Sequence, residues 1–113
     1  FARAFETVDV IAAPTTPVVA PALGQRHLEK ESVLSALCRL NYPANLAGLP
    51  ALSLPCGFST TGLPIGLQLM ARPYDEATLL RVAHAYEQTT AWHARTPQTI
   101  TGARGPAGRL PGT

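Results

Sequence analysis

The chain has little charge: 14% of its 113 residues are charged, against about 25% in ordinary globular domains. That excludes a charged disordered tail or a coiled coil. Over residues 1–97 seven basic and seven acidic side chains cancel, so the net +2 comes from Arg104 and Arg109. No basic face follows a phosphate backbone, and aromatics are only 6%, so nucleic acid is not an expected partner. Cysteine is scarce too. Cys38 and Cys56 fall short of a disulfide framework and form no CxxC pair, which excludes a zinc ribbon. Both read as free thiols in a reducing, cytoplasmic compartment. The longest purely apolar run is a handful of residues, far below the ~20 that span a bilayer, so no membrane partner is expected. Methionine occurs once, at Met70, and the first residue is Phe1. This start reads as a processed product or a piece of something longer.

What is abundant is apolar sequence, 46%, broken by 11 prolines and 9 glycines. Phe1, Ala4, Phe5 and Val8 keep helical spacing. Residues 8–13 read as a buried strand stopped by Pro14, and 15–24 as an extended loop fixed by Pro17 and Pro21. Val33, Ala36, Leu37 and Leu40 predict a helix over 29–41, ended by Asn41-Tyr42-Pro43. Asn45 to Pro50 reads as a turn. Residues 51–57 and 64–71 predict an antiparallel hairpin around a Ser59–Gly62 turn. In the second strand Ile65, Leu67 and Leu69 share one face, and Gly66, Gln68 and Met70 the other. Asp75 predicts an N-cap. The helix after it has Leu79, Val82, Ala83 and Tyr86 as its buried stripe and runs to about Trp92. Residues 98–113 carry almost nothing apolar and read as a disordered Gly/Pro-rich tail.

The residues on their own suggest no self-contained active site. Ser53, within a strand, reads as facing a neighbour rather than as a nucleophile. Cys38 and Cys56 read as small apolar side chains, and no spacing pairs either with His27, His84 or His93. The histidines have no clustered partners, so no metal is expected. Lys30, the lone lysine, sits between Glu29 and Glu31, which favour its protonated form. No glycine pattern matches a phosphate loop, and no cofactor is expected. Gln68 reads as a hydrogen-bonding partner of sheet neighbours. Asn45, Gly48 and Pro50 read as a tight connection.

Several stretches in series nevertheless look familiar. They are Asp9 to Pro17 (DVIAAPTTP), Pro43 to Gly57 (PANLAGLPALSLPCG), Gly62 to Leu69 (GLPIGLQL), Asp75 to Leu80 (DEATLL) and Tyr86-Glu87. In that order they resemble the C-terminal part of amidase signature family enzymes, over about residues 1–96. The resemblance implies an α/β chain: the C-terminal portion of the family's α/β/α fold around a mixed sheet, with 1–97 an incomplete amidase domain. It also implies hydrolysis of a carboxylic amide C–N bond by a Ser–Ser–Lys triad, a serine nucleophile activated through a second serine by a neutral lysine. Those three residues belong to the family's N-terminal half, so no catalytic residue is expected in this chain, which alone is expected to be inactive.

Thr15, Thr16 and the helix leading to Asn45 approach the acyl pocket in such enzymes. Cys38 aligns near an acidic residue that family members acting as glutamine amidotransferases for charged tRNA use to pair with a substrate amino group. A thiol there favours a general amidase with a less polar substrate, and the amidotransferase is the alternative. The substrate-pocket candidates are therefore Thr15, Thr16, Cys38 and Asn45. Expected partners are a small-molecule amide and the N-terminal remainder of the same domain, with a homodimer as a further arrangement. A non-catalytic structural or binding module is the alternative of another class.

Overall fold

A computed structural model describes residues 1–95. The strands are β1 (Val10–Pro14), β2 (Ala51–Phe58) and β3 (Pro64–Ala71), and the helices are α1 (Val33–Arg39), α2 (Tyr42–Ala47) and α3 (Glu76–Thr89). Short 3-10 turns occupy Ala4–Glu6 and Trp92–Ala94. The strands form one antiparallel sheet in the order β1-β3-β2. The expected tail at 98–113 lies outside the described residues.

The hairpin arises where the sequence places it. Ser59 closes the turn: its N–H donates to Leu63 O at 2.8 Å, and its hydroxyl accepts from Leu63 N–H at 3.1 Å. Pairing then runs from Phe58 opposite Pro64 to Ala51 opposite Met70, with one irregularity between Pro55 and Gly57. β1 joins the other edge of β3, with Val10 opposite Ala71 and Ile11 opposite Met70. Pro14, expected to stop β1, is its last residue. A terminal edge position tolerates a missing N–H.

This register sorts the side chains. Leu52, Leu54, Leu67 and Leu69 face α3 and pack with Leu79, Ala83 and Tyr86. Thr15, Ser53, Gly66, Gln68 and Met70 share the opposite parity. That face looks toward α1 and α2, where Gln68 Nε2 donates to Leu40 O at 3.0 Å. The sheet therefore lies between α3 on one side and the α1–α2 pair on the other.

Four expectations need correction. The helix expected over 29–41 is the shorter α1, and a second helix, α2, follows it where a turn was expected. Ser32 caps α1 by accepting from Ser35 N–H, so Glu29 and Glu31 fall outside it. Pro43 does not end a helix but sits in the first turn of α2, where a missing N–H costs nothing. Asn41 closes α1 instead, its Nδ2 donating to Leu37 O at 2.8 Å. Gly48, at φ 62°, then ends α2; a left-handed cap favours glycine. Consequently Asn45 lies on a helix rather than in a turn. Second, Val82 is 37% exposed and does not join Leu79 and Ala83 in the core. Third, α3 stops at Thr89. There Thr89 Oγ1 donates to Tyr86 O at 2.8 Å, a side-chain bond that competes with helix continuation. Fourth, Phe1 to Val8 forms only a 3-10 turn, with Phe5 buried.

Arg72, just after β3, ties that turn to the sheet. Its guanidinium donates to Phe5 O from two nitrogens, to Val8 O at 3.1 Å and to Asp9 Oδ1 at 3.1 Å. It also lies over the Phe5 ring, 5.9 Å from its centroid. The carbonyl bonds should outweigh the exposed Asp9 pair, since surface ion pairs contribute little. Arg72→Ala should therefore cost about 1–2 kcal/mol and Asp9→Asn almost nothing, as read by denaturant midpoints of the full-length protein.

Asp75 caps α3 as expected, accepting from Thr78 N–H at 3.3 Å. Hydrogen bonding from the Thr78 side chain holds its carboxyl below the usual range. Slight desolvation opposes this, while the Thr78 backbone N–H, Arg72 and Arg81 assist it. A carboxylate with a depressed folded pKa stabilises fully above its unfolded pKa and loses that contribution as pH falls through the folded one. Asp75→Asn can still cap but has no charge to lose. Thermal midpoints measured across the acidic carboxylate range should thus fall more steeply for the native protein than for the variant.

Candidate functional site

A cleft of about 260 Å³ opens between the polar face of the sheet and α2. It is lined by Thr15, Asn41, Ala44, Asn45, Ala51, Leu52, Ser53 and Gln68. β1 and its exit supply Thr15, β2 supplies Ser53, and β3 supplies Gln68. The helix pair supplies the asparagines.

The centre of the cleft is a hydroxyl pair. Thr15 Oγ1 and Ser53 Oγ hydrogen-bond to one another across β3. They can meet because the residue between them is Gly66. A Cβ at position 66 would lie 2.7 Å from Thr15 Oγ1 and 2.9 Å from Ser53 Oγ. Thr15 is held in place by its own N–H, which donates to Gly66 O at 2.9 Å. The geometry thus gives Gly66 a steric role distinct from that of Gly48.

Thr15 and Asn45, both expected near a substrate pocket, line this same cleft. Thr16 turns away into an adjoining groove of about 270 Å³, lined by Pro14, Pro17, Val18, Val19, Ala20, Pro64, Ile65 and Gly66. Its hydroxyl donates to Val18 O at 2.7 Å. Cys38 lines neither space. It is a half-buried free thiol on α1. Hydrogen bonding with Cys38 is the main cause that raises the Tyr42 phenol above its usual pKa, followed by repulsion from the thiolate form of Cys38 and by desolvation. Cys56 is likewise a half-buried free thiol.

The family model for amidases, described simply as Amidase, matches residues 1–80. The chain belongs to the amidase family. It is 56% identical over 99 residues to the A subunit of glutamyl-tRNA(Gln) amidotransferase from Thermosynechococcus vestitus, covering 87% of this chain and 20% of that protein. It is 52% identical over 101 residues to the protein of the same name from Chloroflexus aurantiacus, covering 88% and 20%. Among solved structures, 6-aminohexanoate cyclic dimer hydrolase superposes with a TM-score of 0.76 at 34% identity, over 85% of this chain and 22% of the hydrolase. The chain thus spans about one fifth of the length of the curated relatives it matches. The α/β architecture implied by the resemblance is the one seen, with an antiparallel sheet in the described portion.

Sequence reasoning missed Ser53, Gln68 and Asn41 as cleft residues. Ser53 does face a neighbour, as expected, but the neighbour is Thr15. Gln68 bonds the Leu40 carbonyl just past α1 rather than a sheet neighbour. The alternation of β3 was the usable signal for Gln68. The partnership of Thr15 and Ser53 depends on inter-strand register, which no local pattern contains. Among the described residues no helix is long and apolar enough to cross a membrane, and no group of three or more His, Cys, Asp or Glu is placed to hold a metal ion.

Proposed function

We propose that the full-length protein cleaves a carboxamide C–N bond and that residues 1–97 form one part of its amidase domain. The observation that carries this reading is the amidase match over residues 1–80, with a hydrolase of the same architecture at 34% identity. In this reading Thr15 and Asn45 stand on one wall of the small-molecule substrate site, with Thr16 in the adjoining groove and Cys38 on α1, outside both. The nucleophile and its lysine lie in the part of the protein beyond this chain.

Identity favours one version of that chemistry. The two amidotransferase relatives share 52–56% with this chain, the cyclic dimer hydrolase 34%. That difference supports use of glutamine as the amide, with transfer of its nitrogen to charged tRNA in company with partner proteins. Cys38, the residue expected to favour the simpler hydrolase, lines neither the cleft nor the groove and so weighs for neither version. Ammonia release separates the two. An independent hydrolase releases ammonia from simple primary amides without partners. A component of an amidotransferase needs its partners and the charged tRNA for full activity. Release under neither condition would overturn both versions.

The part-domain reading has its own test. Among the described residues, β1 and β2 each leave one edge without a strand partner, and such edges promote association. Isolated residues 1–97 should aggregate or lack a cooperative thermal transition. A soluble monomer with a sharp transition would contradict this reading.

A further inference from the structure

The chain leaves the sheet at Thr15, and little holds it from there. Pro17 and Pro21 have no N–H to donate. Among the described residues no hydrogen bond ties any residue from 16 to 21 to the sheet or to a helix. The Thr16 hydroxyl donates to Val18 O within the segment itself. The last ties to the sheet are both at Thr15. Its N–H donates to Gly66 O at 2.9 Å, and its hydroxyl bonds Ser53 Oγ.

The two ties differ in reach. The first joins neighbouring strands. The second passes over β3 to β2, two strand spacings or roughly 10 Å from β1, and it can do so because Gly66 has no Cβ. Ser53 is itself fixed in the ladder, opposite Gln68 and between Leu52 and the buried Leu54. Among the described residues neither hydroxyl has another hydrogen-bond partner, so each depends on the other. What they hold is the shared wall of two spaces. Thr15 lines the cleft, and Thr16 to Ala20 line the groove opposite Pro64 and Ile65.

We propose that Ser53 is a positioning residue for this wall. Through Thr15 its hydroxyl anchors the exit of β1, and so fixes where the segment from Thr15 to Ala20 stands relative to β3. The bearing of this anchor on substrate rests on the amide-cleaving reading and deepens it, by naming the residue that sets one wall of the site. Ser53 acts through Thr15 and is not a catalytic residue.

The test uses the full-length protein, uniformly labelled with 15N. Local opening sets the exchange rate of a protected amide. Ser53→Ala loses one neutral hydrogen bond, so Thr15 N–H should exchange about five to ten times faster. The residue 15 amide of Thr15→Val should do the same, and the double variant should add nothing further. Ser53→Thr keeps the hydroxyl and should keep the native exchange rate. Thr78 N–H, bonded to Asp75 Oδ1 at the start of α3, should not respond. In turnover of L-glutamine or butyramide, with partner proteins and charged tRNA where turnover requires them, Ser53→Ala should raise KM about three- to tenfold while kcat stays within about threefold. Unchanged exchange at Thr15 in Ser53→Ala, or equal acceleration at Thr78, would overturn the anchor. Faster exchange at Thr15 with a native KM would overturn its role in shaping the site. Absence of turnover by the native protein, with hydroxyl-dependent exchange at Thr15, would remove the amide-cleaving reading and leave the anchor standing.

Discussion

Leu69→Ala should destabilise the full-length protein by about 2–5 kcal/mol, the usual cost of emptying a well-packed leucine site. Leu69 is 4% exposed, in the middle of the central strand. It pairs with Ala12 on one side and Leu52 on the other, and packs with Leu54, Leu79 and Ala83. Few neighbours can collapse into the gap. Ala71 and Ala83 are too small, and both flanking strands are fixed by their ladders. Denaturant unfolding read by tryptophan fluorescence at Trp92 checks the value. That ring stands 6.2 Å from Phe58 at the end of β2, so it reports on the sheet. Leu80→Ala is the control. Leu80 is 62% exposed on α3, and its truncation should change stability by less than about 0.5 kcal/mol.

Gly66→Ala should be the second large effect, at about 1–3 kcal/mol. It has a distinctive signature. The new methyl would stand 2.7 Å from Thr15 Oγ1, 2.9 Å from Ser53 Oγ and 3.0 Å from Thr15 Cβ. Two of those contacts are hydroxyl oxygens that a second substitution removes. Adding Ser53→Ala and Thr15→Ala should recover part of the loss, so the costs should not add. A residual cost is expected, because the Thr15 Cβ remains. Strictly additive costs across this set would show that Gly66 is needed for backbone freedom rather than for space. Its φ is not in the left-handed region, which favours the steric account.

How much of this was legible in the sequence depends on how local the cause is. The Asp75 cap, the Ser59–Gly62 turn and the alternation of β3 are each decided by a few adjacent residues, and each was readable. The break between α1 and α2 was not. Pro43 carries the same local signal whether it ends one helix or opens the next. The deciding contact, Asn41 Nδ2 to Leu37 O, belongs to neither signal. Val82 keeps helical spacing with Leu79 and Ala83 but is 37% exposed and outside the buried cluster. The cleft was half legible. Thr15 and Asn45 entered through family resemblance, whereas Ser53 and Gln68 entered only through register, because β1 pairs with a strand some fifty residues away in sequence.

That division bears on function. The layered arrangement puts a neutral polar face beneath α2 and a leucine-rich face beneath α3. In the proposed reading the first meets ligand; the second holds the layers together. Substitutions on the α3 face should therefore move stability, and those at Thr15 or Asn45 should move affinity.

The central claim is that the full-length protein cleaves a carboxamide C–N bond. The most direct test is 15N NMR of the purified protein with L-glutamine labelled at the side-chain amide, run alone and with partner proteins and charged tRNA. The account predicts that the amide signal decays as labelled ammonium or a new labelled amide appears in equal amount, in at least one of the two conditions. An amide signal that persists unchanged in both, and likewise with labelled butyramide, would contradict it.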